Sequence, residues 1–581
     1  MKKQLTENLK GVFFLLIPFC LFSPWVSIRD TCFFQGVKSC DLILVLFFYL
    51  IIVFMGYYWR NKILCFTLSK LDIIILFYGS YLTFLAFLSW NRLDREVLLM
   101  HVACGLLYVA ARNVTERQIR QMLVVFPLLL VWQLWYGIVK QTDYFYPGKG
   151  MELVCGSFLN TGLWSCFVAC AGVLFCGQVS LSRSWWVKGI HGLGVFLSVG
   201  LLYVANSRAA WLGFIVGCGY LLYKNMNKIH KVARWLLIIV LVGILVGAGV
   251  STRHKEDSAL GRMLIWKIAG QMCLERPLGR GLDGFRRDYM GYQQKYFEKS
   301  GSSTERILAD ENLFAFNDLL RILVEQGVIG VLLTLALVYA IFKPSKFRES
   351  DSGLLRVLRG VVLVWLVFSL FSYPASRLQV KGVFIMFVAM LSSLDARVWS
   401  FNGKWIAVPG VVGVLLVSVL EVYPFRRAVE TWNTCCRNWE VLPEYPCSVL
   451  SPLMNTPEVL PNCALFLNKK GETEVAAKVA DRGVRLYHSY GCCIELGIAL
   501  ERQGKLQLAE EVWGNAENLI PNRFKPLFLQ MEMWEKAGNG EKAVELAERL
   551  LNKQVKVMSP ELSYYLNRAK QIKLTFKTKC L

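Results

Sequence analysis

Val204 to Gly217 reads VANSRAAWLGFIVG. An arginine stands here between two apolar runs, where a charge is expensive unless it has a task. One run stops and the next starts at Asn206-Ser207-Arg208. Arg208 therefore falls at a water-exposed turn between two membrane helices. From these residues alone two readings stay open. Arg208 is either a snorkelling side chain that anchors a helix end beside an interfacial Trp211, or a cation kept for chemistry.

The surrounding chain is of the same kind. Of its 581 residues 55% are hydrophobic, 13% aromatic and only 18% charged, against roughly 25% charged in a soluble domain. Apolar runs close to the bilayer-crossing length of about 20 residues fall at roughly 10–29, 41–58, 72–90, 97–112, 119–139, 155–180, 186–205, 209–223, 233–251, 318–342, 357–373, 379–395 and 404–423. The sequence predicts an all-α, polytopic helical membrane domain of about 12 to 13 spans. The apolar start after Met1-Lys2-Lys3 has no small-residue cleavage site before Arg29, and is read as a retained first helix.

The loops orient the spans. With the N-terminus in the cytoplasm, Arg60 and Lys62, Arg112 to Arg120, Arg183 and Lys188, Lys224 to Arg234, Lys343 to Arg348, and Arg397 with Lys404 all fall inside. Arg92 and Arg95 are exceptions to this positive-inside pattern. Arg208, the long segment 252–317 and everything after Tyr423 then lie outside. The net charge of +23 is largely this loop charge, and no nucleic-acid motif accompanies it. The 18 cysteines include no CxxC pair, which argues against structural zinc. Cys32 with Cys40, and Cys435, Cys436, Cys447 and Cys463, sit on the outer side, where disulfides can form.

Residues 1–423 are expected to be the membrane domain, with 252–317 as a large outer loop, and 424–581 a separate periplasmic helical domain. This tail is charged and repeats itself. Asn468-Lys469-Lys470-Gly471, Glu501-Arg502-Gln503-Gly504 and Glu535-Lys536-Ala537-Gly538 each precede an alanine, Ala476, Ala509 and Ala543. The interval is close to the roughly 34-residue period of tetratricopeptide helix pairs, and LERQGKLQLAEEVW resembles that family. The expected form is an α-solenoid suited to protein contacts, with a plain helical bundle as the alternative.

Four outer stretches carry candidate chemistry. They are Gly156-Ser157-Phe158-Leu159-Asn160-Thr161-Gly162; Ser207 to Gly213; Gly261-Arg262-Met263-Leu264-Ile265-Trp266-Lys267 followed by Pro277 to Phe285; and Ala315-Phe316-Asn317-Asp318 running to Gly330. Gly279, Gly281 and Gly284 match GxGxxG, but no strand or βαβ setting surrounds them, so a turn is the better reading. Asn160, Asn317 and Asp318 also suit helix N-caps.

In this order the four stretches resemble the bacterial O-antigen ligase and polymerase superfamily, which includes protein O-oligosaccharyltransferases. The resemblance implies a membrane glycosyltransferase that moves a glycan from undecaprenyl diphosphate to an acceptor outside the bacterial inner membrane. Lipid A-core is the favoured acceptor, which would make the chain a ligase of lipopolysaccharide biosynthesis. A growing glycan would make it a polymerase, and a protein hydroxyl an O-oligosaccharyltransferase. A glycolipid transporter or assembly scaffold, with the tail docking a protein partner, is the non-enzyme alternative. No metal or cofactor is implied. Arg208 and Arg262 are expected to hold the diphosphate, because guanidinium groups bind phosphate oxygens in bidentate fashion. Asp310 or Asp318 is the expected acid–base group. Asn160, Ser207, Trp211, Trp266 and Asn317 are expected to contact substrate. Where many ligases carry His before the Asn, this chain has Phe316.

Overall fold

The structure is a computed structural model. It describes residues 15–18, 20–21, 35–58, 65–143, 156–158, 160–225, 256–343, 352–402, 404–442 and 448–579. The expected span at 233–251 and most of that at 10–29 lie outside these residues, as do Cys32 and Cys447.

The membrane part begins with α1 (Gln35–Tyr58), a short strand β1 (Cys65–Ser69), α2 (Lys70–Leu88), α3 (Arg95–Arg112) and α4 (Glu116–Asp143). It continues with α5 (Thr161–Leu181), α6 (Trp185–Ala205) and α7 (Arg208–Asn225). Three lid helices follow: α8 (Glu256–Glu275), α9 (Gly284–Lys299) and α10 (Ser303–Leu308). The bundle closes with α11 (Asp318–Phe342), α12 (Ser352–Ser369), α13 (Leu378–Leu394), the strand β2 (Arg397–Asn402) and α14 (Lys404–Val417). Among the described residues, six helices are long and apolar enough to cross a membrane, and the helices at Arg208–Tyr223 and Leu378–Leu394 are shorter and apolar.

Burial sorts these helices into centre and rim. In α5, 83% of the most apolar window is buried, against 17% in α2 and in α6. Phe77, Phe87 and Phe196 project outward from those two rim helices. Lipid is as apolar as a protein core, so helices here associate by close packing rather than by escape from water. Small residues allow it. A Cβ at Gly177 would meet Val357 at 2.4 Å, and one at Gly217 would meet Val364 at 2.7 Å. Glycine thus lets α12 seat against α5 and α7.

One end of the bundle is tied by a polar knot. Ser69 and Asp72 form a capping box at the start of α2. Asp72 also accepts from Tyr108 at 2.6 Å, Arg112 at 2.9 Å and Ser392 at 2.7 Å. That joins the start of α2 to the ends of α3 and α13. At the same end β1 and β2 pair antiparallel, Cys65 opposite Asn402. This ribbon is an addition to the all-helical pattern read from the sequence.

At the other end the chain leaves the bundle without a break. α14 passes through a π-turn at Ser418–Val422 into α15 (Tyr423–Arg437). The tail then stacks α16 (Val459–Lys470), α17 (Thr473–Tyr487), α18 (Tyr490–Arg502), α19 (Leu506–Leu519), α20 (Lys525–Lys536), α21 (Gly540–Asn552) and α22 (Pro560–Lys579), each against its neighbour. The repeat glycines do what the sequence asks of them. Gly471, Gly504 and Gly538 turn between helices at φ 83°, 76° and 79°, where a side chain is unfavourable. Ala476, Ala509 and Ala543 are fully buried between paired helices. Ion pairs such as Lys542–Glu510 (2.7 Å) and Arg568–Glu532 (2.8 Å) link successive units at the repeat interval. Among the described residues Cys40 and Cys463 are free thiols.

Candidate functional site

The free end of the bundle gathers helix N-termini. α3, α5, α7, α11 and α13 all begin there, and the starts of α3, α5 and α11 are side-chain capped. Asn160 caps α5, its Oδ1 accepting from Gly162 (2.8 Å) and Leu163 (3.2 Å). Asn317 caps α11 by accepting from Leu320 at 3.0 Å. Asp318 Oδ2 accepts the Ala375 N–H at 2.9 Å, which fixes α11 to the turn before α13. Asn160 Nδ2 donates to the Tyr373 hydroxyl at 3.2 Å, which fixes α5 to the same turn. Unpaired backbone N–H groups and the helix dipoles make such a face favourable for an anion.

Arginines complete it. Arg208 is the first residue of α7, exposed, with no ion pair among the described residues. Arg262, from α8, reaches across to it. Its Nη1 donates to the Phe371 carbonyl at 2.9 Å, and its guanidinium lies 5.2 Å from the centre of the Phe316 ring. Burial holds the Arg262 guanidinium below its usual pKa, the positive charge of Arg208 pushes the same way, and Tyr373 opposes both. A bound anion would relieve that repulsion. Burial raises the Tyr373 phenol, while Arg377 and Arg262 draw it back. Arg377 lies over Phe314 at 5.5 Å, and Phe314 stacks on Tyr373 at 4.1 Å. Arg262 and Arg377 therefore flank one aromatic cluster, with Arg208 close enough to act on Arg262, and none of the three is paired with a carboxylate among the described residues.

Phe316 takes φ 51°, the left-handed region that a bulky side chain rarely adopts. That conformation turns its ring towards Arg262 and edge-on to Tyr373 at 5.2 Å. In the position where histidine is common in the resembling family, a phenyl ring packs against the guanidinium.

The remaining expected residues divide into two groups. Near the cluster, Trp266 donates from Nε1 to the Ala315 carbonyl at 2.9 Å and so supports the strand of chain that carries Phe316. Trp211 is buried against Phe214, and Ser207 occupies the position before α7, its carbonyl accepting from Trp211 at 3.1 Å. Asp318 is buried, with its Oδ2 held by the Ala375 N–H. Asp310 stands apart: it pairs with Arg523 of the tail at 3.0 Å, at the seam between lid and repeats.

The glycine-rich stretch after α8 is a structural lock. α11 is broken at Gly327, which takes φ 66° and ψ −164°. The loop 277–282 fills the break. Arg280 and Gly281 donate to the carbonyls of Val324 and Glu325 at 2.9 Å each, and Val328 donates to Pro277 at 3.0 Å. Tyr81 of α2 donates to the Gln326 carbonyl at 2.6 Å. The backbone groups freed by the break are thus satisfied by the lid, as they must be near a membrane.

Beside the cluster lies a cavity of about 380 Å³, sharing Asn160, Phe314, Tyr373 and Arg377 with it. Its other walls come from α3, α11, the lid and the tail, and include Glu96, Arg321, Glu325, Arg286 and Glu458. Arg321 is paired with Glu325 at 3.2 Å, and Arg286 with Asp94 at 2.6 Å and Asp283 at 2.9 Å. Burial alone would weaken the Arg286 charge, but Asp283 and Asp94 reverse that and raise its pKa. Glu96 has no ion pair among the described residues. It accepts the Gly36 N–H at 3.1 Å. Among the described residues no group of three or more His, Cys, Asp or Glu is arranged to hold a metal.

Sequence reasoning missed Arg377, Phe314, Glu96 and Glu458. One signal was available. Ser376-Arg377 opens α13 after an outer turn, as Ser207-Arg208 opens α7.

No curated protein matches the chain. Among solved structures it is similar to the crystal structure of yeast Tom70, at 11% identity and a TM-score of 0.22, over 86% of this chain and 96% of that one. A family model described as O-antigen ligase matches residues 193–335, the stretch that holds Arg208, Arg262, the lid loop and the broken helix. The chain is a helical multi-pass membrane protein whose residues 193–335 match the O-antigen ligase family model, a match that supports a function of the membrane glycosyltransferase type.

Proposed function

We propose that the protein transfers a glycan from undecaprenyl diphosphate to an acceptor hydroxyl at the periplasmic face of the inner membrane, with lipid A-core the favoured acceptor. The observation that carries this reading is the juxtaposition of Arg208 and Arg262, two cations with no carboxylate partner among the described residues, at a face of converging helix N-termini. Such a site suits a diphosphate.

The transfer needs little from the protein because the diphosphate is a competent leaving group. The acceptor oxygen bonds to the anomeric carbon of the glycan. The bond from that carbon to the diphosphate oxygen breaks, and its electron pair leaves with undecaprenyl diphosphate. The acceptor proton passes to a carboxylate. Arg208 and Arg262 stabilise the charge that grows on the leaving oxygen. Glu96, the α3 carboxylate of the adjoining cavity with no ion pair among the described residues, is the base we assign. Asn160 and Tyr373 brace the arginine cluster from below. Asp318 acts on that bracing through the Ala375 N–H.

The test uses purified full-length protein with a labelled, carrier-linked glycan and lipid A-core. Arg208→Ala and Arg262→Ala are each expected to lower kcat by on the order of 10²- to 10³-fold, the effect of removing one preorganised donor to a developing oxyanion. Unchanged transfer in both variants would overturn the arginine site, and no transfer by the wild-type protein would return the chain to the scaffold or transporter reading.

A further inference from the structure

The cavity beside the arginines is closed by the tail, and that closure is rigidly referenced to the membrane domain. Thr456 donates to Asp94 Oδ1 at 3.1 Å. Asn455 Nδ2 donates to the carbonyls of Asn91 (3.2 Å) and Leu93 (3.3 Å). Asp94 is buried and itself bound by Arg286 of the lid. Three parts of the molecule thus meet at one bolt. Two residues beyond it on each side stand Glu96 and Glu458, both facing the cavity.

Glu458 directly precedes α16 but makes no capping hydrogen bond with its side chain. It is exposed and has no ion pair among the described residues. Asn462, one turn further, also lines the cavity, as does the buried indole of Trp432 from α15. The arginines of this cavity are mostly committed elsewhere, Arg286 to two aspartates and Arg321 to Glu325. Asn462 Nδ2 donates to the Glu458 carbonyl at 2.8 Å and Glu96 accepts one N–H, from Gly36, which leaves the Glu458 carboxylate, the second Glu96 oxygen, the Asn462 amide oxygen and an aromatic wall in a volume of about 380 Å³, within the size range of small-ligand sites. Planar acceptors of this kind match the paired hydroxyls of a sugar ring, and an aromatic wall matches its C–H face. An extended peptide would need a through-running groove.

We propose that the repeat domain supplies the acceptor wall of the transfer site, with Glu458 and Asn462 holding the terminal sugar of a saccharide acceptor across from Glu96. This rests on the transferase reading and gives the tail a part in acceptor choice. Glu458 and Asn462 are positioning residues on this account, since they hold the acceptor and leave the carrier to the arginines.

Two measurements on the full-length protein test it. The first is calorimetric binding of lipid A-core oligosaccharide in the absence of donor. The second is transfer from a labelled carrier-linked glycan, with acceptor and donor varied separately. Wild type is expected to bind the oligosaccharide. Glu458→Gln and Asn462→Ala, both at exposed positions, are expected to weaken that binding and raise the acceptor KM roughly tenfold, the scale of one lost hydrogen bond to a charged group. Donor KM should stay within about twofold, which a misfolded protein would not achieve. Wild-type transfer with both variants matching it in binding and acceptor KM would overturn the acceptor wall while leaving the transferase intact. Label appearing on a serine- or threonine-containing peptide, with none on the oligosaccharide, would overturn it too. Oligosaccharide bound without any transfer would overturn the transferase reading alone.

Discussion

Arg262 is gripped by its neighbours' carbonyl and ring, not by an opposing charge. One N–H is taken by Phe371 and one face by Phe316, so its other donors stay available. Lysine would keep the charge but lose both the flat contact and the forked geometry. Arg262→Lys is therefore expected to raise the donor KM by roughly tenfold while retaining more kcat than the alanine variant. Donor saturation curves read this directly, and a lysine enzyme indistinguishable from wild type would mean that charge alone is being used. Arg208 and Arg262 stand out in the sequence, Arg208 by its place between two apolar runs and Arg262 by the motif around it. Arg377, Phe314 and Glu96 were not. Their part in the site comes from which turns meet across the end of the bundle, and hydropathy along a chain reports burial without naming the partner. Phe316 looked like a departure from the expected histidine. Its place over the guanidinium became readable only once the left-handed turn at that residue was known.

The broken helix α11 and the loop 277–282 are one element in energetic terms. A Cβ at Gly279 would lie 2.6 Å from the Glu325 carbonyl oxygen, and one at Gly327 would lie 2.3 Å from the Leu278 backbone. Both glycines also have positive φ. Gly279→Ala and Gly327→Ala should each destabilise the protein by about 1–3 kcal/mol. Because they strain the same junction, the double variant should cost less than the sum. Thermal unfolding in detergent measures this, and additive losses would show two independent sites. The lid has a second, titratable brace. Burial works against the Glu305 carboxylate, but the Ser302 N–H, Lys267 and Tyr296 hold its pKa down to about 2. A depressed pKa gives stability above the unfolded value, near 4.5, that is lost as pH falls towards the folded one. The melting-point advantage of wild type over Glu305→Gln should accordingly be full above about pH 5 and vanish towards pH 2. An advantage that persists at pH 2 would mean the brace is not the carboxylate. At this scale the sequence was informative wherever an element carries its own period or cap. The helix α11 was bounded to the residue, 318–342. Its break was invisible, since Gly327 looks like any glycine in an apolar run until the lid loop is laid beside it. The ribbon β1–β2 was hidden for the same reason, its two halves being distant in the chain and each too short to signal alone.

Lid and tail share a core, so the molecule does not divide into a working part and an attachment. Phe285, Tyr289, Met290 and Phe297 of the lid are buried together with Ala516, Leu519 and Ile520 of the repeats. Polar contacts cross the same seam. Asn522 Nδ2 donates to the carbonyls of Ile307 (2.7 Å) and Ala309 (2.6 Å), and Gln293 donates to Leu519 at 2.7 Å. At Gly291 the lid approaches His488 so closely that a Cβ would lie 2.6 Å from the ring. The repeat period made the tail's own form readable in advance, but nothing periodic could report that it leans on the lid. A chain truncated after Arg437 would strip these apolar side chains of their partners and remove the Thr456 bond to Asp94. The lid carries Arg262, so its disorder reaches the diphosphate site even though no arginine of the cluster is deleted. Truncation is therefore expected to reduce transfer to background while the membrane helices still insert. A gentler lesion separates loss of the lid's support from loss of the acceptor wall. Asn522→Ala leaves two carbonyls short of a donor and should cost about 1–3 kcal/mol. It lies away from Glu458 and Asn462, so it should loosen the lid and raise the donor KM while leaving the intrinsic preference for acceptor unaltered. Proteolysis of 284–308 in wild type and Asn522→Ala, alongside donor and acceptor KM, distinguishes the two effects. If the truncated protein transferred glycan at the wild-type rate, the repeats would be a dock and not a support, and the coupling argued from the shared core would be wrong.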